Sequence, residues 1–307
     1  MDNARIDLAW RDSLTDTEHA DVLDLLHAAA AVDGQPEFDE PDRLPGDFLA
    51  GRHLLARAAG ALVGYGHLDT GGDAFGRLVA TVIVRPDRRR AGFGSAAVDA
   101  VLAAAGSRTV RFWSRDDHPG AARIAHRRGL ARVREMLRMG LDLTTAADFP
   151  EPGWPAGITV RTFVPGEDEA AMLAVNKRAF DWHPEQGALS QDELLDTERE
   201  NWFDPAGFFL AERDGQVVGF HWTKVHPTTP PVGEVYVVGV DPGAQGGGLG
   251  RALTLLGLRY LRAAGLAEVI LYVEGDNAPA LAVYTRLGFT RTRTDVQYET
   301  SPSANGR

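Results

Sequence analysis

The sequence predicts two tandem α/β units, each a sheet with helices packed against it. Three observations carry this reading. The apolar run Glu234-Val235-Tyr236-Val237-Val238-Gly239-Val240 meets a break at Asp241-Pro242. A glycine-rich turn follows, Gln245-Gly246-Gly247-Gly248-Leu249-Gly250, and opens a long apolar helical pattern. The same order stands earlier in the chain, as Leu78-Val79-Ala80-Thr81-Val82-Ile83-Val84, then Arg85-Pro86, then Arg89-Arg90-Ala91-Gly92-Phe93-Gly94. The two turns lie 156 residues apart, as do Val84-Arg85-Pro86 and Val240-Asp241-Pro242. Val63-Gly64-Tyr65 precedes Val218-Gly219-Phe220 by 155 residues, and Arg128-Gly129-Leu130 precedes Leu287-Gly288-Phe289 by 159. Four ordered matches at nearly constant offset mark an internal duplication. A chain of 307 residues suits two domains of about 150 each.

The elements follow in order. Thr15-x-x-Glu18 is a capping box before an apolar helix reaching about Ala31. Residues 33–47 are acidic and proline-rich and read as a loop. Strands are expected at 54–58, 61–68 and 77–84, a helix at 93–105, a strand at 109–113, a helix at 119–128 and a strand at 132–141. Asp148-Phe149-Pro150-Glu151-Pro152-Gly153-Trp154-Pro155 holds four breakers in eight residues and reads as a linker. The second repeat is expected to run as a strand at 158–163, helices at 167–180 and 191–202, and strands at 207–212, 217–224 and 234–240. A helix at 248–264, a strand at 268–273, a helix at 277–287 and a strand at 289–298 complete it. The predicted domains are 1–147 and 157–300, with a linker at 148–156 and a polar tail at 301–307.

Composition narrows the function. The hydrophobic fraction of 44% supports real cores, and no run approaches a membrane span. There is no cysteine, hence no disulfide framework, thiolate metal site or cysteine nucleophile. The N-terminus carries no apolar signal core, so the cytoplasm is expected. A net charge of −11 argues against general nucleic-acid binding. The expectation is a monomer acting on a small molecule, without nucleic-acid, membrane or metal partners.

Strand, glycine turn and helix together form a diphosphate cradle. Glycine lets the backbone approach the phosphate, its N–H groups point inward, and the helix N-terminus adds partial positive charge. The spacing Gln-x-x-Gly-x-Gly is neither a dinucleotide fingerprint nor a Walker loop. It resembles the pyrophosphate loop of the GCN5-related N-acetyltransferases. That resemblance implies two tandem domains of this family, each a mixed, mostly antiparallel sheet flanked by helices, and acetyl-coenzyme A as co-substrate. It implies coenzyme contacts from Val238, Gly239 and Val240, from Gln245, Gly246, Gly247, Gly248, Leu249, Gly250 and Arg251, and from Asn277 with Ala278, Pro279, Ala280, Leu281 and Ala282. In the first repeat the matching positions are Val82, Ile83 and Val84, then Arg90, Ala91, Gly92, Phe93, Gly94 and Ser95. Arg85, Arg88, Arg89 and Arg90 would supply positive charge there.

Acetyl transfer to an amine needs a base for the amine and an acid for the leaving thiolate. Glu234 heads an apolar strand, and alternation would put 234, 236, 238 and 240 on one face. Partial desolvation would suit it as a base, although a strand-end glutamate can equally be a plain surface charge. Tyr284 falls where the family places a general acid, or else is a core tyrosine. Asn277 is a coenzyme contact, a helix N-cap, or both. The counterparts in the first repeat are Leu78, Ala125 and about His118, so the second repeat is expected to be the catalytic one. His183, His221 and His226 do not follow a zinc spacing.

Longer motifs are similar to the mycothiol-synthase branch of the family. They are Trp182-His183-Pro184-Glu185-Gln186-Gly187, Trp202-Phe203-Asp204-Pro205, His221-Trp222-Thr223-Lys224-Val225-His226 and Leu271-Tyr272-Val273-Glu274-Gly275-Asp276-Asn277, with Ala31-Val32-Asp33-Gly34 and Glu40 upstream. This resemblance implies acetylation of the cysteinyl amine of cysteinyl-glucosaminyl-inositol, with Glu40, Glu185, Lys224, Glu234 and Tyr272 on the substrate. An acetyltransferase for another amine, such as an aminoglycoside or a protein N-terminus, and a non-catalytic acyl-coenzyme A sensor are the alternatives.

Overall fold

The structure is a computed structural model that describes residues 6–34, 44–183 and 186–300. The first repeat forms β1 (Ile6–Arg11), α1 (Asp16–Asp33), β2 (Arg52–Ala58), β3 (Ala61–Asp69), β4 (Leu78–Val84), α2 (Phe93–Ala105), β5 (Val110–Ser114), α3 (Pro119–Arg128) and β6 (Ala131–Asp142). The second forms β7 (Ile158–Thr162), α4 (Glu169–Ala179), α5 (Gln191–Thr197), β8 (Phe208–Arg213), β9 (Gln216–His226), β10 (Val232–Val240), α6 (Leu249–Ala263), β11 (Glu268–Glu274), α7 (Ala278–Arg286) and β12 (Thr290–Glu299). The predicted capping box at Thr15 and Glu18 is present. Two expectations need correction. Strand β1 is additional: it pairs antiparallel with β2 from Ile6↔Ala58 to Arg11↔His53. The helix expected over 191–202 ends at Thr197. Beyond it Trp202 and Phe203 leave the helix to pack on Trp222, with ring centroids 5.8 Å away in both cases.

The compact units do not coincide with the repeats. One comprises Met1–Glu135 and Thr294–Arg307, the other Met136–Arg293. The reason is an exchange of last strands. In the first unit β12 pairs antiparallel with β5, from Val296↔Ser114 to Glu299↔Arg111. In the second, β6 pairs antiparallel with β11, from Met136↔Glu274 to Asp142↔Glu268. Nor is the segment at 148–155 a free tether. Phe149 is buried in the second unit's core, its carbonyl accepts from Arg259 (2.8 Å), and the Arg262 guanidinium lies 4.2 Å from its ring centroid.

Each sheet is covered on both faces. In the first unit α1 buries Val22, Leu25 and Leu26 against Leu55 and Tyr65, while α2 buries Ala97, Val98 and Val101 against Leu54, Leu78 and Val110. In the second, α6 sets Leu255, Leu258 and Leu261 on Val235, Val269 and Leu271. Opposite them, Met172 and Val175 of α4 meet Phe208, Leu210, Phe220 and Trp222.

One irregularity separates the two sheets. Along β9 and β10 the register runs Glu234↔Lys224 and Val235↔Thr223, then resumes at Val237↔Trp222. Tyr236 is the extra residue of a β-bulge. The bulge overturns the simple alternation: Glu234 shares its face with Val237, while Val238 and Val240 join the α6 side. The parallel ladder stops just before the bulge, because β10 pairs with β11 only from Gly233↔Val269 to Val235↔Leu271. In the first unit β3 and β4 pair without a shift from Gly64↔Val84 to Asp69↔Val79. Glu234 lies between Lys224 and Ile270, whose repeat counterparts are Asp69 and Arg111, and these flank Val79. The residue at the position of Glu234 is therefore Val79 rather than Leu78.

Because β12 closes the first unit's sheet, ending the chain at residue 293 should strip amide-exchange protection from Val110–Ser114 in β5 and leave β8 and β9 protected. Hydrogen exchange read by mass spectrometry checks this, and unchanged protection of β5 would show that it does not depend on β12.

Candidate active site

The glycine turn is built as its sequence implies. Gly248 caps the N-terminus of α6 with φ 83°, and Gly246 has φ 85°. A Cβ added at either would meet nothing within 4 Å, so backbone conformation rather than crowding selects glycine there. The turn is tied to its strand by Gln245 Nε2, which donates to the Val240 carbonyl at 3.1 Å. The first unit repeats this bond: Arg89 Nε donates to the Val84 carbonyl at 3.1 Å, and Gly92 caps α2 with φ 91°. Its arginines, however, are engaged by acids. Arg89 makes a two-pronged bond to Asp33 (2.7 and 2.6 Å), Arg85 pairs with Asp24 (2.6 Å), and Arg88 with Asp87 (3.3 Å). Arg90 stands exposed at φ 66°, where the second unit has Gly246. The positive charge expected at this turn is thus largely balanced by acidic neighbours, three of them outside the turn's glycines.

On the α4 face of the second sheet, ionisable groups are buried together. Glu234 is 6% exposed, and its Oε2 lies 2.7 Å from Nε2 of His226, itself buried. Directly across the ladder is Lys224, 8% exposed, with Nζ 4.5 Å from the Trp202 ring centroid and 5.8 Å from that of Tyr236. On β11, Tyr272 and Glu274 share a face. Arg293 Nη2 donates to the Tyr272 hydroxyl at 3.4 Å, and His183 Nε2 lies 3.3 Å from Glu274 Oε1. His183 Nδ1 accepts from the Gln186 N–H at 3.0 Å, so its proton is on Nε2, facing the carboxylate. A face this dense in buried charge and hydrogen-bonding groups is a marker of chemistry.

Tyr284 lies on the other side. It joins the cluster beneath α6 with Leu271, Val273 and Phe289, its ring 5.8 Å from that of Phe289. Burial pushes its hydroxyl up to about 12, so it keeps its proton at any working pH. Glu234 and Tyr284 therefore occupy opposite faces, and the opening of β10 away from β11 past Val235 is the break in the sheet between those faces. Asn277 is an N-cap, its Oδ1 accepting from Ala280 N–H at 3.2 Å. Gly239 leaves room for the ring of Phe220, which a side chain would strike. Ala125, at the place of Tyr284 in the first unit, is buried against Val296 and Tyr298. Glu40 and Glu185 lie outside the described residues.

The three histidines go to three different partners. His221 turns to the α6 face, donates Nδ1–H to the Leu253 carbonyl at 2.7 Å, and fills the slot left by Gly257. Among the described residues no three His, Cys, Asp or Glu side chains are grouped to hold a metal ion. The partners of Glu234 and Lys224, namely His226, Trp202 and Tyr236, were missed as site residues by sequence reasoning. For His226 a signal existed: Trp222, Lys224 and His226 alternate along one strand and so share a face.

Comparisons with known proteins give the family and the fold. A family described as "Acetyltransferase (GNAT) family" matches residues 20–130 and 176–289. A relative named "Mycothiol acetyltransferase" from Saccharomonospora viridis is 56% identical over 300 residues, covering 94% of this chain and 97% of its own length. Another of that name, from Amycolatopsis mediterranei, is 54% identical over 297 residues with the same coverage. Among solved structures, a GCN5-related N-acetyltransferase from Sphaerobacter thermophilus superposes with TM-score 0.72 at 25% identity, covering 98% of this chain and 96% of that one. A tandem GNAT protein from the clavulanic acid biosynthesis pathway gives TM-score 0.72 at 23% identity, covering 98% and 100%, and shares the fold.

Burial pushes the His221 imidazole down to about 4. The unfolded chain takes up this proton first, so stability is lost as pH falls from about 6.5 toward 4. Urea melts should show wild type losing about 2 kcal/mol more than His221→Asn between pH 7 and pH 5. Equal losses in the two proteins would show that His221 does not stay neutral in the fold.

Proposed function

The chain belongs to the acetyltransferase (GNAT) family, and from that premise we propose that it acetylates the cysteinyl amine of cysteinyl-glucosaminyl-inositol, with Glu234 as base and Tyr284 as acid. It is an acetyl-transferring enzyme, and its relatives named mycothiol acetyltransferase support a place in mycothiol biosynthesis. The observation that carries the mechanism is the buried carboxylate of Glu234, two residues before the bulge at Tyr236.

The second unit's residues suit acetyl-coenzyme A. The positive-φ glycines 246 and 248 leave open space at the start of the fifteen-residue helix α6, where free N–H groups and the helix dipole favour a diphosphate. Val238, Gly239 and Val240 lie past the last pairing with β11 and offer backbone groups to the pantetheine amides. Bound there, the thioester supplies an activated acetyl carbonyl. Glu234 removes the ammonium proton so that the nitrogen lone pair can attack. The C–N bond forms as the C–S bond breaks, and Tyr284 gives its proton to the departing thiolate. Lys224 and Tyr272, beside Glu234 on the same face, donate to hydroxyls of the sugar and inositol rings, and Glu40 and Glu185 complete the substrate set. The first unit keeps the cradle but has Val79 and Ala125 in place of base and acid, so it is a structural partner. A cytoplasmic monomer without metal is the setting this reading expects.

The direct test is mass spectrometry of the product formed from cysteinyl-glucosaminyl-inositol and acetyl-coenzyme A. Glu234→Gln should lower kcat by about 10²-fold or more, and Tyr284→Phe should slow the chemical step while sparing acetyl-coenzyme A binding. Near-normal turnover of Glu234→Gln between pH 6 and 9 would remove it as the base. A loss of binding without a loss in chemistry in Tyr284→Phe would make that residue a packing group.

The two turns should respond differently to charge. Aspartate tolerates the left-handed backbone at Gly92 and Gly248, so Gly→Asp chiefly adds a negative charge where a diphosphate would sit. Gly248→Asp should abolish activity, whereas Gly92→Asp should leave the chemical step near normal. Steady-state kinetics on both folded variants checks this, and the reverse pattern would assign catalysis to the first unit.

A further inference from the structure

We propose that His226 is a positioning residue for the base: it holds one oxygen of the Glu234 carboxylate so that the other faces the amine. The inference rests on Glu234 as the base. It is carried by geometry. Glu234 is nearly sealed from water, and a buried carboxylate remains ionised only if hydrogen bonds replace its hydration. His226 supplies such a bond at 2.7 Å, from a ring that is itself 6% exposed. A carboxylate only accepts, so the ring nitrogen must donate, and Nε2 carries the proton. His226 pairs with Val232 and Lys224 with Glu234, so the two β9 side chains flank the carboxylate on one face. Lys224 lies directly opposite, its Nζ turned over the rings of Trp202 and Tyr236. His226 approaches diagonally and makes the bond to Oε2.

The carboxylate thus has one oxygen engaged by the sheet, which leaves Oε1 as the acceptor for the substrate's ammonium proton. During transfer that proton moves from nitrogen to Oε1, the new C–N bond replaces the C–S bond, and the thiolate takes the proton of Tyr284. His226 keeps its own proton throughout and acts through Glu234. The bond matters because beyond Val235 the strand loses β11 as a neighbour and with it the ladder that would otherwise hold the segment in place.

Among the described residues several other groups share this face, Arg293 of β12 among them through its bond to the Tyr272 hydroxyl. Lys224 and His226 come from β9, and Tyr272 and Glu274, the latter held by His183, from β11. Helix α4 covers this face and contributes Glu169 near its start, bonded to the Gly166 N–H. Helix α6 covers the other face, where Tyr260 reaches Asp204 and His221 reaches Leu253.

His226→Gln and His226→Met separate donation from packing, since the two side chains are close in size and only glutamine donates. With cysteinyl-glucosaminyl-inositol and acetyl-coenzyme A as substrates, kcat is measured from pH 5.5 to 9. His226→Met should lose about tenfold or more in kcat at neutral pH, and the acid limb of its profile should move up by about one pH unit, because the carboxylate has lost a donor to its charged form. His226→Gln should recover most of both, and KM for acetyl-coenzyme A should change little in either. Should the methionine variant melt below assay temperature, the same limb read on His226→Asn, which keeps a donor on a shorter arm that cannot reach Oε2, replaces it and should shift in the same sense. Folded Met and Gln variants with the same kcat and the same limb would overturn the positioning role. Loss of the reading beneath it looks different: the wild-type acid limb would then survive in Glu234→Gln.

Discussion

The second unit depends on one extra residue in one strand. Tyr236 marks the register shift of β10 against β9, and three features meet there. It reverses the alternation of β10, sending Val237 rather than Val238 to the face of Glu234. It follows the last of three pairs in the ladder to β11, and β10 runs on from there beside β9. It also turns an aromatic ring toward Trp202 and Lys224, beside the base. A bulged strand bends and leaves the ladder locally unpaired, and unpaired backbone groups in a sheet need another partner. The gap is common to both units, whose parallel ladders end before the glycine turn, and the insertion sets which side chains of β10 share the face of Glu234.

Around that insertion the sheet divides the chemistry by face. The α4 side gathers Glu234 bonded to His226, Lys224 over the Trp202 and Tyr236 rings, Tyr272 bonded to Arg293, and Glu274 paired with His183, all buried or half-buried. The α6 side is apolar and holds Tyr284 with its proton firmly attached. His221, one residue from Trp222, falls on the apolar side and is kept neutral by burial. Neighbouring histidines on one strand thus differ in role because a strand shows alternate residues to opposite environments. The first unit lacks the bulge, and its parallel β4–β5 ladder runs one pair further, to Thr81↔Trp113, before β4 leaves β5. Its turn keeps the same strand tether, yet the arginine that makes it is also held by Asp33. The two units share a backbone plan, and the register shift at Tyr236 is found in the second.

The exchange of β6 and β12 links the repeats covalently and by hydrogen bonds in a way that duplication alone does not require. Each repeat supplies a last strand, and each sheet needs one, but the sheet's edge cannot distinguish two strands of like pattern by backbone pairing. Side chains decide the matter: Val296 and Tyr298 are buried with Ala125 in the first unit, and Leu137, Met139 and Leu141 lie in the core of the second.

By itself the sequence determined the repeat, both glycine turns, the Thr15 capping box and most of the element order, while Glu234, Tyr284 and Asn277 were singled out with the help of the family resemblance. These are local signals: turn chemistry, caps and periodicity act over a few residues and so are written in consecutive positions. Strand β1 escaped because its six residues, Ile6–Arg11, mix apolar and charged types and earn their place only by pairing with β2. Only the tertiary structure decided that the last strands exchange, that Tyr236 is a bulge, that Val79 rather than Leu78 stands where Glu234 does, and that His226 binds the carboxylate. Register and partner choice are relations between segments far apart in the chain, set by which side chains fit together once the strands meet, and no run of neighbouring residues contains them.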